Sequence, residues 1–337
     1  MKTTRRAWLM ATGLAWLMAA GAATAQTPPD YAYGADMGWV TQEEQQGFTF
    51  HDASGAKADP FALLKAQGVN AIRLRIWVDP KDGWNNKADT LAKARRAQAL
   101  GQRIMIDFHY SDIWADPHQQ VKPKAWSGDT EAQLEQHVYD HTIDVLSYLK
   151  ANGIKVSWVQ VGNEITNGLL WPDGDTKHWA NLVALTNHGY DAVKSVYPDA
   201  QVIIHIDNGW DDAKAKWWFD NFFANSGKVD IIGFSFYPFY SPTKDWKQET
   251  PHLSQTMGDM VKLYHKPVMV VEIGFRADQP DEAKAMVSDV IARNKALGDL
   301  GQGVFYWEPD SPGPMHYPLG AMTDDGRFTA AMDAFRH

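Results

Sequence analysis

Glu164 and Glu272 are the residues of this chain best placed to do chemistry. Glu164 follows the apolar run Trp158-Val159-Gln160-Val161-Gly162-Asn163, and Glu272 follows Val268-Met269-Val270-Val271. A carboxylate at the end of an apolar strand must be paired or protonated, because an unpaired buried charge is costly. Either glutamate alone reads equally well as a strand-end carboxylate paired with Arg73 or Arg75. Taken together they read more specifically. Two opposed carboxyl groups in an aromatic-rich cleft cleave glycosides: one protonates the leaving oxygen, and the other attacks the anomeric carbon or activates water. The chain carries 15 Trp, 12 Tyr and 14 Phe, a supply of flat faces for stacking on a ligand.

Other polar residues fall where apolar runs end. In order they are Asp36, Arg73 and Arg75, Asp107 and His109, Asp207-Asn208, Tyr237 and Trp307-Glu308. Arg73 and Arg75 share parity and so point to one side of their strand. One of them can hold Glu272 ionised, and the other reads as half of a core ion pair. Tyr237 can donate to Glu272 or merely pack. His109 reads as a neutral hydrogen-bond donor, since no H-E-x-x-H or paired histidine spacing supports a metal. Trp77, Trp114, Trp171, Trp210 and Trp307 lie just past strand ends and are candidates for stacking on pyranose faces. Trp217-Trp218 sit inside a helical pattern and read as helix–barrel packing.

The elements that must position these residues alternate. Strand patterns cover 31–36, 71–77, 103–109, 157–161, 202–207, 231–237, 268–272 and 304–307. Helical patterns cover 60–67, 90–100, 130–151, 178–196, 214–224, 253–264, 281–296 and 329–335. Strand–helix alternation implies parallel strands under covering helices. Runs such as Ile203-Ile204 are apolar on both faces, as parallel sheets require. Eight units fit an α/β fold of the closed (β/α)8 TIM-barrel kind, in a single domain. An open nucleotide-binding sheet would show a G-x-G-x-x-G turn, which is missing. In such a barrel the site is built at the C-terminal ends of the strands.

Composition narrows the rest. Of 337 residues, 45% are hydrophobic and 22% charged, an ordinary globular balance. The formal net charge of −9 argues against a nucleic-acid partner. With no cysteine there is no disulfide framework, thiolate metal site or thiol nucleophile. Lys2, Arg5 and Arg6 precede an apolar run from Ala7 to about Ala20, and Ala23-Thr24-Ala25 resembles a cleavage site. Residues 1–25 therefore read as a secretory signal, leaving 26–337 as the barrel. A secreted or periplasmic monomer is expected, with no membrane attachment after cleavage and no cofactor or metal.

The finer motifs resemble one family, glycoside hydrolase family 53, within the clan of retaining barrel glycosidases. They are Gly34-Ala35-Asp36, Val69-Asn70-Ala71-Ile72-Arg73-Leu74-Arg75-Ile76-Trp77-Val78 and Asp107-Phe108-His109-Tyr110-Ser111-Asp112-Ile113-Trp114-Ala115-Asp116-Pro117. Val159-Gln160-Val161-Gly162-Asn163-Glu164-Ile165, Gly168-Leu169-Leu170-Trp171-Pro172, His205-Ile206-Asp207-Asn208-Gly209, Tyr237-Pro238-Phe239, Val270-Val271-Glu272 and Phe305-Tyr306-Trp307-Glu308-Pro309 continue the series in order. The resemblance implies an arabinogalactan endo-β-1,4-galactanase acting on galactan, a pectin side chain, by double displacement. Glu164 would be the general acid/base and Glu272 the nucleophile. Asn163 would meet the sugar 2-hydroxyl. Asp36, Arg73, Arg75, Trp77, His109, Asp112, Trp114, Asp207, Asn208, Tyr237 and Trp307 would complete the substrate site. Some bacterial relatives bind calcium in a long loop after strand eight; the short run Asp310-Ser311-Pro312-Gly313-Pro314 lacks acidic spacing for it. The chain also departs from the family pattern at Ile273-Gly274-Phe275-Arg276. A related barrel hydrolase acting on mannan or xylan, or a non-catalytic carbohydrate-binding barrel, are the alternatives.

Overall fold

A computed structural model describes Met1, residues 31–311 and residues 315–337. The expected signal segment thus lies, apart from Met1, outside the described residues. Eight parallel strands form a closed barrel: β1 (Ala32–Asp36), β2 (Ala71–Ile76), β3 (Arg103–Phe108), β4 (Val156–Val161), β5 (Gln201–Ile206), β6 (Ile231–Phe236), β7 (Val268–Ile273) and β8 (Gly301–Tyr306). Pairing of Ala32 with Gly303 and Ala35 with Tyr306 closes β8 onto β1. The expected (β/α)8 architecture is the one observed, with strand ends displaced by a residue or a few. A short antiparallel pair, Gly168–Leu169 with Gly174–Asp175, decorates the loop after β4.

Eight α-helices are described: α1 (Val40–Gln45), α2 (Pro60–Ala66), α3 (Lys87–Ala99), α4 (Glu131–Ala151), α5 (Trp179–Val196), α6 (Asp212–Ala224), α7 (Trp246–Tyr264) and α8 (Pro280–Lys295). Local chemistry sets their starts. Asp59 accepts from the Phe61 amide ahead of Pro60, and Asn86 accepts from Ala88 and Asp89. Helix α7 begins seven residues before the pattern predicts. Pro251 sits inside this helix, which Asp245 caps and which buries Leu253, Met257 and Met260. Its burial outweighs the lost hydrogen bond. The last segment is a 3-10 turn, Ala330–Phe335, rather than an α-helix. Short α1, between β1 and α2, has no counterpart in the sequence reading. Among the described residues no helix is long and apolar enough to cross a membrane.

The barrel interior has two storeys. Ala71, Met105, Trp158, Ile203, Ile231, Met269, Val271 and Phe305 pack its lower part as an apolar cluster. Above them the register aligns polar neighbours: Asp36 beside Arg73, Arg75 beside Asp107, Asp107 beside Gln160, and Ser235 beside Glu272. Alternation alone would not put Glu272 there. Met269 and Val271 already face the lumen, so Glu272 would point outward. Between Phe234 and Ser235 of β6 the partner on β7 advances from Val270 to Glu272. The extra residue is a β-bulge that turns Glu272 inward.

Candidate active site

Glu272 lies at the C-terminal mouth of the barrel with both carboxylate oxygens engaged. Arg73 Nη2 meets Oε1 at 2.9 Å, and the Tyr237 hydroxyl donates to Oε2 at 2.9 Å. Burial raises its pKa, opposed by the Arg73 charge and the Tyr237 hydrogen bond. Tyr237 is itself held well above its ordinary range, first by burial and then by the Glu272 charge, so it stays a donor.

Glu164 is delivered differently. It follows Gly162 at φ 84° and has φ 45°, ψ 52° itself, a left-handed conformation that costs a non-glycine residue about 1–2 kcal/mol. The turn lifts its side chain off β4. Its amide donates to His205 Nδ1 at 3.3 Å, His205 Nε2 donates to Ser235 Oγ at 2.7 Å, and Ser235 donates to Glu164 Oε1 at 2.5 Å. The His205 tautomer follows from these partners. Burial above all, then the charges of Glu272 and Asp207, hold the Glu164 carboxyl well above the usual range. Burial and Arg73 hold His205 well below its own, so it is neutral. The two glutamates share one hollow of about 180 Å³ with Trp114, Asn163, Tyr237, Trp307 and Tyr317.

Beneath them runs a buried ion network. Arg73 also reaches Asp36 at 2.5 Å, Asp107 at 2.9 Å and Asn163 Oδ1 at 2.8 Å. Arg75 pairs instead with Glu308, which also accepts from the Gly38 and Trp39 amides. The guanidinium of Arg75 lies under Trp114, 4.3 Å from the ring centroid. Parity put both arginines on one side, and the structure separates them: Arg73 holds Glu272, Arg75 braces the aromatic wall. Asp36, Arg73 and Arg75 are fully buried and act through these neighbours. His109 accepts from the Ala115 amide and Trp77 Nε1 on Nδ1, and donates to Asp107 through Nε2. Burial lowers its pKa, and both nitrogens are engaged inside the protein. Asn163 donates to the Ala115 carbonyl at 2.8 Å.

The remaining expected residues lie to either side. Asp207, Asn208, Trp210 and Lys214 line a hollow of about 710 Å³ with Asp116, Ser235 and Tyr240, and Glu164 borders it. Trp77, Asp112 and Trp114 line a third, of about 450 Å³, with Trp39 and Trp84. Asp112 also ties the loop, accepting from the Asp79 and Lys124 amides. Trp307 packs edge-on to Trp39 at 5.1 Å and Tyr317 at 4.7 Å. Neighbouring hollows share Glu164, Asp116 and Tyr237 on one side and Trp114 on the other, so they form one groove with the glutamates in the middle.

Sequence reading did not single out Trp39, Ser235, Tyr240 or Tyr317. Ser235 had a signal, as a polar residue inside the apolar strand Ile231–Phe236. Tyr317 had none, coming from the loop after β8. Trp217 is a correction: Trp218 is buried as packing requires, but Trp217 is 47% exposed. Behind Glu308, Glu43 of α1 and Asp310 are buried together and hydrogen-bond within their own carboxyl cluster, and no cation or side-chain amide or hydroxyl of the described residues donates to their oxygens. Burial first, then the Glu308 charge, pushes Glu43 up to about 8; burial and Glu43 raise Asp310 well above its usual range. Among the described residues no group of three or more His, Asp or Glu side chains is placed to hold a metal ion.

A closed eight-stranded barrel with two carboxyl groups of opposed environment, set midway along an aromatic groove, defines a barrel glycoside hydrolase. The chain belongs to glycosyl hydrolase family 53, whose profile matches residues 32–315. An arabinogalactan endo-β-1,4-galactanase of Thermothelomyces thermophilus is 35% identical over 298 residues, 82% of this chain and 88% of that one. A solved fungal β-1,4-galactanase superposes with TM-score 0.84 at 32% identity, covering 90% of this chain and 98% of that one. The family 53 catalytic domain of Ignisphaera aggregans gives TM-score 0.83 at 28% identity, covering 92% and 96%.

Proposed function

We propose that this hydrolase cuts β-1,4-galactan internally, with retention of configuration, using Glu272 as nucleophile and Glu164 as general acid/base. The observation that carries the reading is the opposed electrostatics of one shared hollow. Arg73 and Tyr237 stabilise a negative Glu272, while burial and the Glu272 charge keep the proton on Glu164. In the first step a Glu272 oxygen bonds to the anomeric carbon as the bond to the leaving oxygen breaks, and Glu164 gives that oxygen its proton. In the second step Glu164 takes a proton from water. The water oxygen bonds to the anomeric carbon, and Glu272 departs as carboxylate. Asn163 borders the hollow beside both glutamates and suits a contact with the sugar 2-hydroxyl.

The acid must stand on the leaving-group side. Glu164 borders the 710 Å³ hollow and Glu272 does not, so that hollow takes the departing sugars. Sugar-binding space on both sides of the pair supports internal cutting. The galactan assignment rests on the family and on the activities of its relatives. The N-terminal pattern supports export with cleavage after Ala25. Incubation with linear β-1,4-galactan, mannan and xylan tests the substrate. The expected outcome is short galacto-oligosaccharides from galactan alone; release from mannan or xylan at a comparable rate overturns it, and no release from any points to a binding barrel.

A further inference from the structure

We propose that Trp217, with Trp179, forms an outlying stacking platform for galactan on the flank of helix α6, outside the catalytic groove. The proposal rests on the galactanase reading and extends its leaving-group side. Trp217 sits six residues into α6, where the rest of the aromatic load is turned inward. Trp218, Phe219 and Phe222 are buried, whereas Trp217 is 47% exposed. A single exposed aromatic residue needs no explanation, but this one is not single. The first residue of α5, Trp179, meets it edge-on at 5.5 Å and 74°, and Trp179 in turn packs on the buried Trp218 at 5.4 Å. The edge contact braces the Trp217 ring, which remains about half exposed to solvent. Ala213, one turn before Trp217, and Ala180, beside Trp179, are exposed and too small to cover the pair.

Continuity with the groove identifies the occupant. Lys214 lines the 710 Å³ leaving-group hollow. It precedes Trp217 by three residues, so the two are neighbours on one helix face. A helical side chain lies over the turn N-terminal to its own Cα. The Trp217 ring therefore leans toward Lys214 and the start of α6. In this barrel the helix starts stand at the C-terminal ends of the strands, the face that carries the site. A galactan chain leaving the hollow past Trp210 and Lys214 meets Trp217 next. Galactan is uncharged, so the formal net charge of −9 does not repel it. Once the chain is held in the groove, contact with Trp217 is intramolecular and adds to retention of long substrates without any change in the chemistry.

The test compares Trp217→Ala and Trp217→Phe with the parent on linear β-1,4-galactan and on β-1,4-galactotriose, which is too short to reach both sites. The expected result is a fall of about fivefold in the ratio of kcat/KM on polymer to that on trisaccharide for Trp217→Ala, carried by KM, the size of one aromatic contact. Trp217→Phe should restore most of it. Electrophoresis through gels containing galactan, mannan or xylan reads binding directly, in a Glu164→Gln background that prevents digestion. Trp217→Ala should lose retardation in galactan while melting within a few degrees of the parent. An unchanged ratio with unchanged retardation overturns the platform. If the parent cuts xylan or mannan instead, the substrate reading falls, and retardation in the matching gel still decides whether Trp217 binds polymer.

Discussion

Arg73 and Tyr237 divide the two oxygens of Glu272 between them, and each division of labour is measurable. Tyr237→Phe removes a hydrogen bond to a charged group, worth about 1.5–3 kcal/mol, so kcat should fall at least tenfold. The same bond favours the ionised form of Glu272. Its loss raises the Glu272 pKa, and the acidic limb of the kcat/KM profile should move to higher pH; a limb that stays in place would show that Tyr237 only packs. Glu272→Ala with azide and an activated aryl glycoside should give the inverted α-azide, and Glu164→Ala the retained β-azide. The opposite assignment would exchange the two roles. At this scale the sequence was legible for residue type but not for partner. Parity placed Arg73 and Arg75 together, and only the neighbours from other strands, Glu272 against Glu308, tell them apart.

At the scale of elements, the strand ends were readable because parallel strands buried on both faces are continuous apolar runs. The bulge in β7 was not, since nothing in Val268-Met269-Val270-Val271-Glu272 marks which residue is extra. It matters more than any strand boundary, because it decides whether Glu272 faces the lumen. Helix α1 was missed because it is six residues long and carries Glu43, a charge where a buried face is expected. That glutamate and Asp310 supply a prediction. The unfolded Glu43 titrates near 4.5 and the folded one near 8, so the folded state holds the extra proton between these values. Stability is then lost as pH rises through that window. Glu43→Gln keeps the shape and removes the titration. The decline in Tm from about pH 5 to 8 should flatten in this variant relative to the parent. An equally steep decline would show that the Glu43 proton does not contribute.

Across the whole molecule, the strand–helix alternation specified a barrel because eight parallel units have few other ways to bury their faces. The groove was less legible. Its walls come from loops after different strands, Trp39 after β1, Trp114 after β3, Tyr240 after β6 and Tyr317 after β8, whose meeting depends on closure of β8 onto β1. Closure also sets the two glutamates across one hollow, where retention needs carboxyl groups about 5–5.5 Å apart. Proton NMR of the first minutes of linear β-1,4-galactan hydrolysis reads bond position and stereochemistry together. The prediction is oligosaccharides with new reducing ends in the β configuration, converting to α only by slow mutarotation, and little free galactose. New ends that appear first as the α anomer, or galactose as the sole early product, would contradict it.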